Sequence, residues 1–214
     1  MKKINIILAD DHRILREGLK SIIEEKAHMV VIGEASNGRE AIKLCMKYSP
    51  DVLVIDVSMP DLNGIEATKH ILRNQPDIKV IALSMHSSKI FIQSMFFAGA
   101  FGYLLKDGES SELITAIESV MQHKKYLSKS INQEFISELK RGKEIESELS
   151  GREKEVLQLI AEGKSSKQIG EILFLSSKTV DVHRNNIMKK IGLFSIPELT
   201  KYAIKKGLTS LDFG

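Results

Sequence analysis

The stretch Asp51–Gly64, with the sequence DVLVIDVSMPDLNG, decides the fold of the chain. Its apolar run Val52–Ile55 is flanked by Pro50 and Pro60, which is typical of a buried strand in a parallel sheet. Asp56 follows this run directly. Because open α/β sheets bind ligands at the carboxyl ends of their strands, Asp56 is a candidate functional carboxylate. Taken alone, it is more simply interpreted as a cap of the strand end.

Further apolar runs alternate with helical patterns on both sides of this strand. The other predicted strands are Ile4–Ala9, Val30–Glu34, Lys79–Leu83 and Gly102–Leu105. Apolar residues at three-to-four spacing predict amphipathic helices over Leu15–Ile23, Ala41–Tyr48, Ile65–Leu72, Ile92–Phe96 and Leu113–Met121. Five such β-α units predict an α/β domain with a parallel five-stranded sheet covered on both faces.

The second half of the chain shows helical patterns without strands. We interpret 123–147 as a linker with partial helix, because Ile131, Phe135, Ile136 and Leu139 keep helical spacing. Helices are then predicted over Arg152–Glu162, Ser166–Leu173, Ser177–Lys190 and Pro197–Lys206, and glycines end the first, third and fourth of them. The predicted organisation is an α/β domain over 1–122, the linker, and an all-α four-helix domain over 148–214.

Composition favours a globular cytoplasmic protein of two ordinary domains. Of its 214 residues, 43% are hydrophobic and 28% are charged, which argues against disorder. No apolar run approaches the roughly 18 residues that span a membrane, and the run after Lys3 is too short for a secretion signal. The single Cys45 excludes an internal disulfide. Residues 1–122 carry 14 basic and 16 acidic side chains, and the rest carry 17 and 12, which favours an anionic partner for the second half.

Polar side chains follow four of the predicted strands. They are Asp10 and Asp11 after the first strand, Asp56 after the third, Ser84 after the fourth and Lys106 after the fifth. In a right-handed parallel sheet these ends converge on one edge. Clustered carboxylates favour a hard divalent cation such as Mg²⁺, while an ammonium and a hydroxyl suit phosphoryl oxygens. Asp56 is the predicted nucleophile, forming an acyl phosphate.

The helices Ser166–Leu173 and Ser177–Lys190 form a predicted helix-turn-helix. On the outer face of the second helix, Asp181, Val182 and Asn185 are candidate base readers. Candidate phosphate contacts are Lys167, Lys178, Thr179, Arg184, Lys189 and Lys190, with Ser165 and Ser166. For any single lysine, a solvated helix face is the simpler interpretation.

The acidic site resembles the receiver domain of two-component response regulators. The resemblance covers about Lys2–Gln122 and is carried by Asp10 and Asp11, by Asp56 with Met59, Pro60 and Gly64, by Ser84 and by Tyr103–Lys106. It implies a flavodoxin-like fold and phosphorylation of Asp56 by a sensor histidine kinase. It also implies Mg²⁺ held by Asp10, Asp11, Asp56 and the backbone carbonyl of Ser58. Ser84 would then move toward the phosphoryl group while Tyr103 turns inward, and the phosphoryl group would be lost slowly without enzymatic turnover.

The segment Leu149–Gly192 resembles the LuxR-type DNA-binding domain, which places the chain with the NarL/FixJ subclass. The matching positions are Arg152, Glu153, Val156, Leu157, Gly163, Lys167, Ile169, Leu173, Ser176, Lys178, Thr179, Val180, His183 and Lys190. Gly170 replaces a usual Ala, which we expect to weaken its helix slightly without changing packing much. The resemblance implies binding to double-stranded DNA, with His183 on the DNA-facing helix, and work with RNA polymerase. It also implies a homodimer, with contacts around Leu199–Ile204, when the chain is phosphorylated or bound to DNA.

Two alternatives remain open at this point. A Mg²⁺-assisted aspartyl-phosphate phosphatase would also cluster carboxylates on an α/β sheet, although such enzymes usually place a DxD pair on the first strand, where this chain has adjacent Asp10 and Asp11. The second alternative is a phosphorylation-independent DNA-binding protein that uses its first domain as a dimerisation scaffold. Whether the first domain masks the recognition helix also stays open.

Overall fold

A computed structural model of the chain describes residues 3–131 and 149–209. The chain divides into two compact units, which are described one at a time. The helical spacing predicted at Phe135, Ile136 and Leu139 lies outside the described residues. Within the two described ranges, no helix has the length and apolar character needed to cross a membrane.

The first unit is a parallel sheet with helices between its strands. The strands are β1 (Ile4–Ala9), β2 (Met29–Ala35), β3 (Val52–Asp56), β4 (Lys79–Ser84), β5 (Gly102–Leu105) and β6 (Tyr126–Leu127). The helices are α1 (Arg13–Glu24), α2 (Gly38–Tyr48), α3 (Gly64–Asn74), α4 (Lys89–Phe97) and α5 (Ser110–Met121). The strand order β2-β1-β3-β4-β5-β6 reverses direction after β1, which confirms the flavodoxin-like α/β prediction.

The sheet has one strand more than the five that were predicted. β6 pairs in parallel with β5, so that Tyr126 lies opposite Gly102 and Leu127 lies opposite Tyr103. Two residues are too few to produce an alternating pattern, and therefore periodicity could not reveal this strand. Its position is set by tertiary hydrogen bonds instead.

The central strand β3 is buried along its whole length. Val52–Ile55 are each 0% exposed, as the unbroken apolar run predicted, and Asp56 at its end is 2% exposed. β1 and β4 flank β3 on its two sides. Asp56 therefore lies at the middle of the sheet's carboxyl edge, where polar groups from both neighbouring strands can reach it.

The second unit is all-helical, as predicted. Its helices are α6 (Gly151–Ala161), α7 (Ser166–Leu173), α8 (Ser177–Ile191) and α9 (Ile196–Lys205). Serine side chains cap all four helices at their N-termini. Gly192 directly follows α8, and Gly163 and Gly207 lie two residues after the ends of α6 and α9. Their left-handed φ angles of 68°, 78° and 70° confirm the predicted glycine terminations.

Gly170 has a packing role in the turn between α7 and α8. A Cβ at this position would lie 2.6 Å from the Leu175 carbonyl oxygen. The Leu175 amide donates to the Gly170 carbonyl at 2.8 Å, which closes the turn tightly around this residue. Our sequence interpretation, a small propensity effect without a packing change, was therefore wrong about packing.

Candidate functional site

Three of the five predicted strand-end residues, Asp10, Asp56 and Lys106, form one buried ion-pair cluster in the first unit. The Lys106 ammonium lies 2.7 Å from Asp10 Oδ2 and 2.8 Å from Asp56 Oδ2, and its side chain is only 6% exposed. Asp10 and Asp56 are themselves 1% and 2% exposed. A buried lysine shared by two carboxylates matches the predicted convergence of β1, β3 and β5.

Asp11 and His12 extend this cluster toward solvent. Asp10, Asp11, His12 and Asp56 each offer one ligand atom, and these atoms lie within 4.8 Å of one another. Asp11 Oδ1 is buried and makes no hydrogen bond of good geometry, although His12 Nδ1 lies 2.9 Å away. Three carboxylates with a buried, poorly satisfied oxygen are a donor set that fits a hard cation such as Mg²⁺.

His12 was not predicted as a site residue, because its sequence spacing matches no metal motif. Its side chain is 64% exposed, and its Nδ1 also lies 3.2 Å from Asp10 Oδ1.

Ser58 was predicted as a metal ligand through its backbone carbonyl. The structure shows its amide donating to Asp56 Oδ1 at 3.2 Å, and the carbonyl's role as a ligand stays a prediction.

The electrostatics of the cluster oppose ionisation of Asp56. Burial raises the pKa of Asp56 to about 7, the Lys106 charge acts against this rise, and the Asp10 charge adds to it. Burial also acts to lower the pKa of Lys106, but the charges of Asp56 and Asp10 outweigh burial, so this pKa is raised. An added cation would favour the ionised carboxylates.

The two predicted switch residues meet at the backbone of His86. Ser84 Oγ accepts a hydrogen bond from the His86 amide at 3.0 Å, and the Tyr103 hydroxyl donates to the His86 carbonyl at 2.7 Å. Tyr103 is 0% exposed, so its side chain already points inward. The His86 ring stacks on Phe91 with ring centroids 4.7 Å apart, which ties this loop to α4. The predicted motion of Ser84 and Tyr103 stays a prediction.

In the second unit, the outer face of α8 carries most of the predicted DNA contacts. Val180 and Ile187 are buried on its inner side, as predicted. Thr179, His183 and Arg184 are partly exposed, and the fully exposed predicted contacts are Lys178, Val182, Asn185 and Lys189 on α8 with Lys167 on α7. Exposed lysine and asparagine side chains are of the types that contact phosphates and base edges, and their role as DNA contacts stays a prediction.

Asp181 and Lys190 are engaged within the protein. Asp181 Oδ1 accepts from Ser166 Oγ at 2.8 Å and lies 3.1 Å from Arg184 Nη2, so it joins α7 to α8. The Lys190 ammonium lies 2.7 Å from Oε2 of buried Glu153 on α6. Sequence reasoning missed this second pair because 37 residues separate its members and no local spacing connects them.

Comparison with known proteins agrees with both units. Residues 6–118 match the response regulator receiver domain, and residues 147–203 match the bacterial regulatory proteins of the luxR family. The oxygen regulatory protein NreC of Staphylococcus aureus is 39% identical over 214 residues, covering 96% of this chain and 99% of its own length. The transcriptional regulatory protein MctR of Rhizobium johnstonii is 35% identical over 208 residues, covering 97% of this chain and 96% of its own length.

Solved structures of the same organisation are also similar. The response regulator RcsB of Salmonella typhimurium has a TM-score of 0.65 at 28% identity, covering 96% of this chain and 99% of its own. RcsB has also been solved as a complex with DNA, and that structure has a TM-score of 0.57 at 29% identity over the same shares. The chain therefore belongs to the two-component response regulators that join a receiver domain to a LuxR-type helix-turn-helix domain. Its class is that of DNA-binding transcription regulators.

Proposed function

We propose that Asp56 accepts a phosphoryl group from a sensor histidine kinase in a Mg²⁺-dependent reaction. Phosphorylation then controls sequence-specific DNA binding and transcription by the second domain. The observation that carries this proposal is the Lys106 ammonium shared between Asp10 and Asp56 at the buried carboxyl edge of the sheet. In this proposal, the Asp56 carboxylate is the nucleophile, and the neighbouring Lys106 ammonium offsets negative charge on the transferred phosphoryl group.

In the proposed transfer, an oxygen of Asp56 attacks phosphorus while the phosphorus–nitrogen bond of the kinase's phosphohistidine breaks. The imidazole leaves with the electrons of that bond. Asp10, Asp11, Asp56 and the Ser58 carbonyl would hold Mg²⁺, which supplies positive charge for the phosphoryl oxygens when bound. Lys106 binds another phosphoryl oxygen, while Ser84 and Tyr103 respond to the new group as the switch.

Incubation with acetyl phosphate and Mg²⁺ should add one phosphoryl group to the full-length chain. Intact-mass spectrometry should show this gain in a form stable to acid and labile to alkali, as expected of an acyl phosphate. Peptide mapping should place it on Asp56. Asp56→Asn should abolish the gain, because an amide is not a nucleophile for phosphorus.

A matched control is Asp107→Asn, which removes an exposed carboxylate beside Lys106. This variant should be phosphorylated like the wild type. If the wild type gains no phosphoryl group, or gains it on another carboxylate, the proposed function is wrong.

We further propose that the chain is a switch and not a turnover enzyme. A phosphatase with the same carboxylates would release phosphate from esters continuously, whereas a switch takes up one phosphoryl group and loses it slowly. A turnover assay on phosphate esters distinguishes the two, since sustained release at many equivalents per chain supports the phosphatase.

The proposed output is binding of double-stranded DNA through the exposed face of α8. Support comes from the positions of Lys178, Val182, Asn185 and Lys189, and from RcsB, which has been solved as dimers bound to DNA. We propose homodimerisation on phosphorylation or DNA binding, contact with RNA polymerase, a cytoplasmic location, and the domain boundaries 1–122, 123–147 and 148–214.

Two alanine variants of α8 should separate base reading from phosphate contact. On a site identified by genome-wide footprinting, Asn185→Ala should weaken binding by about 1–3 kcal/mol and relax specificity, because Asn pairs with adenine. Lys189→Ala should weaken specific and non-specific binding alike and reduce the slope of affinity against salt by about 1. Fluorescence anisotropy over a salt series measures both effects.

Asn186→Ala is the matched control for Asn185→Ala, because Asn186 is an exposed neighbour of the same residue type that lies outside the predicted contacts. It should bind like the wild type. Equal losses from both asparagine variants would contradict the assignment of Asn185.

The scaffold alternative is tested by DNA affinity with and without the phosphodonor. The wild type should change its affinity when acetyl phosphate and Mg²⁺ are added, and Asp56→Asn should not. Identical affinities of both proteins under all conditions would favour a phosphorylation-independent scaffold.

A further inference from the structure

A buried carboxylate holds the short strand β6 on the sheet. Glu112 of α5 is 8% exposed, and its oxygens accept three hydrogen bonds from one segment. Ser128 Oγ donates to Oε2 at 2.8 Å, while the Lys129 amide and the Tyr126 hydroxyl donate to Oε1 at 2.8 and 3.2 Å. Because a two-residue strand has few main-chain bonds of its own, these side-chain bonds are a large part of its attachment.

Docking of β6 and burial of Glu112 depend on each other. A buried carboxylate is unfavourable unless hydrogen bonds or a cation compensate its charge. Within residues 3–131 and 149–209, the donors to the Glu112 carboxylate belong to the β6 segment, and none of them is a cation. Burial and then the Glu112 charge raise the pKa of Tyr126 to about 12, which keeps its hydroxyl a donor.

The β6 segment is also bonded directly to the strand that ends at the acidic site. The Tyr126 amide donates to the Phe101 carbonyl at 2.9 Å, and the Ser128 amide donates to the Tyr103 carbonyl at 2.9 Å. β5, which contains Tyr103, therefore pairs with β4 on one edge and with the β6 segment on the other. A shift of β5 changes the geometry of both.

The turn after β5 joins the acidic site to Glu112 over two residues. Lys106 lies on Asp10 and Asp56 at the start of this turn. At Gly108, an added Cβ would lie 3.0 Å from Glu112 Oε2 and 3.1 Å from the Leu105 carbonyl oxygen, so the turn fits closely against the carboxylate. Two residues span at most about 7 Å, and a displacement at Lys106 therefore reaches Gly108 directly.

The structure also leaves space for this displacement. A cavity of about 40 Å³ is lined by Lys106, Gly108 and Glu112 together with leucines of α1, β4, β5 and α5. Side chains at a cavity can shift without overlapping their neighbours. The Lys106–Gly108 turn therefore borders a small void on this side instead of closely packed side chains.

We propose that Glu112 and the segment 126–129 form a latch that phosphorylation of Asp56 opens. This inference rests on the proposed function. The phosphoryl oxygens draw the Lys106 ammonium away from Asp10, the turn moves with it, and the Gly108 backbone shifts relative to the nearby Glu112 carboxylate. The Glu112 bonds to the segment weaken, and β6 leaves β5. The chain that continues to the DNA-binding domain then departs from the end of α5 instead of from β6.

Hydrogen exchange of the full-length chain, followed by mass spectrometry of peptides covering 126–129, tests the latch itself. Glu112→Gln should speed exchange in these peptides about tenfold, because a neutral amide has one acceptor oxygen for three donors. Ser128→Ala removes one donor from the other side and should act in the same direction. Glu118→Gln is the control, since Glu118 lies on the same helix and its side chain is 49% exposed. If exchange over 126–129 is unchanged in both Glu112→Gln and Ser128→Ala, the latch is overturned.

The coupling is tested by adding acetyl phosphate and Mg²⁺ while intact mass reports phosphorylation. In the wild type, exchange over 126–129 should rise at least about threefold on phosphorylation. In Glu112→Gln, it should rise no further, Asp56 should still be phosphorylated, and the change in DNA affinity should be smaller than in the wild type. Unchanged or slower exchange in the phosphorylated wild type overturns the coupling. If no phosphorylation occurs, the proposed function fails and the coupling falls with it, while the variants without phosphodonor still decide the latch.

Discussion

Gly64→Ala should destabilise the receiver domain by at least about 3 kcal/mol, because the new methyl group would overlap main-chain atoms. A Cβ at this position would lie 2.1 Å from the Asp56 carbonyl oxygen and 3.2 Å from Val57 Cα. The Gly64 amide donates to the Val57 carbonyl at 2.9 Å, so the loop cannot open without losing this bond. Urea unfolding followed by circular dichroism measures the loss.

Gly18→Ala provides a matched control in the same domain. Gly18 lies within α1, and an added Cβ would meet no atom within 4 Å. Because Ala is a better helix former than Gly, this variant should be stabilised by up to about 1 kcal/mol. If Gly64→Ala unfolds at the same urea concentration as the wild type, the close approach of β3 and α3 is not a constraint on the fold.

The sequence predicted the parts of the fold that depend on local pattern. The five longer strands were found because each contains at least three consecutive apolar residues. β3 is buried along all the positions of the run that predicted it. The helix ends at Gly163, Gly192 and Gly207 were found because a left-handed terminus favours glycine. The convergence of Asp10, Asp56 and Lys106 followed from parallel topology alone.

The sequence could not predict features that depend on contacts between distant residues. β6 has two residues and is fixed by Glu112, which lies 16 positions before Ser128. The same limit applies to Asp181, which looked like a free base reader and is bonded to Ser166 on the neighbouring helix. At Gly170, the lower helix propensity of glycine could be judged from the sequence, but the closeness of the Leu175 carbonyl oxygen could not. In each case the missing information is which partner the fold brings within hydrogen-bond distance.

Without divalent cations, the wild-type chain should lose stability as pH rises from about 4 to about 7, and Asp56→Asn should lose less. The cause is the pKa of Asp56, which burial raises from 3.8 to about 7 in the folded protein. The folded state therefore binds more protons than the unfolded state across this interval. The free energy of unfolding is greatest below the pKa of Asp56 in the unfolded chain, and it falls until the pH passes the pKa of Asp56 in the folded protein. The difference of about three pKa units corresponds to at most about 4 kcal/mol.

Thermal unfolding in chelator at pH 5 and pH 8 measures this difference, with Asp107→Asn as a control that removes a carboxylate outside the cluster. Asp56→Asn should be more stable than the wild type at pH 8, because it buries no charge at this position, and the gap should narrow at pH 5. Mg²⁺ should stabilise the wild type more at pH 8 than at pH 5, since metal binding requires ionised carboxylates. It should stabilise Asp56→Asn less at either pH. A wild type whose stability is flat between pH 5 and pH 8 in chelator would show that Asp56 ionises at its ordinary pKa, and the burial that distinguishes this carboxylate would then have no energetic consequence.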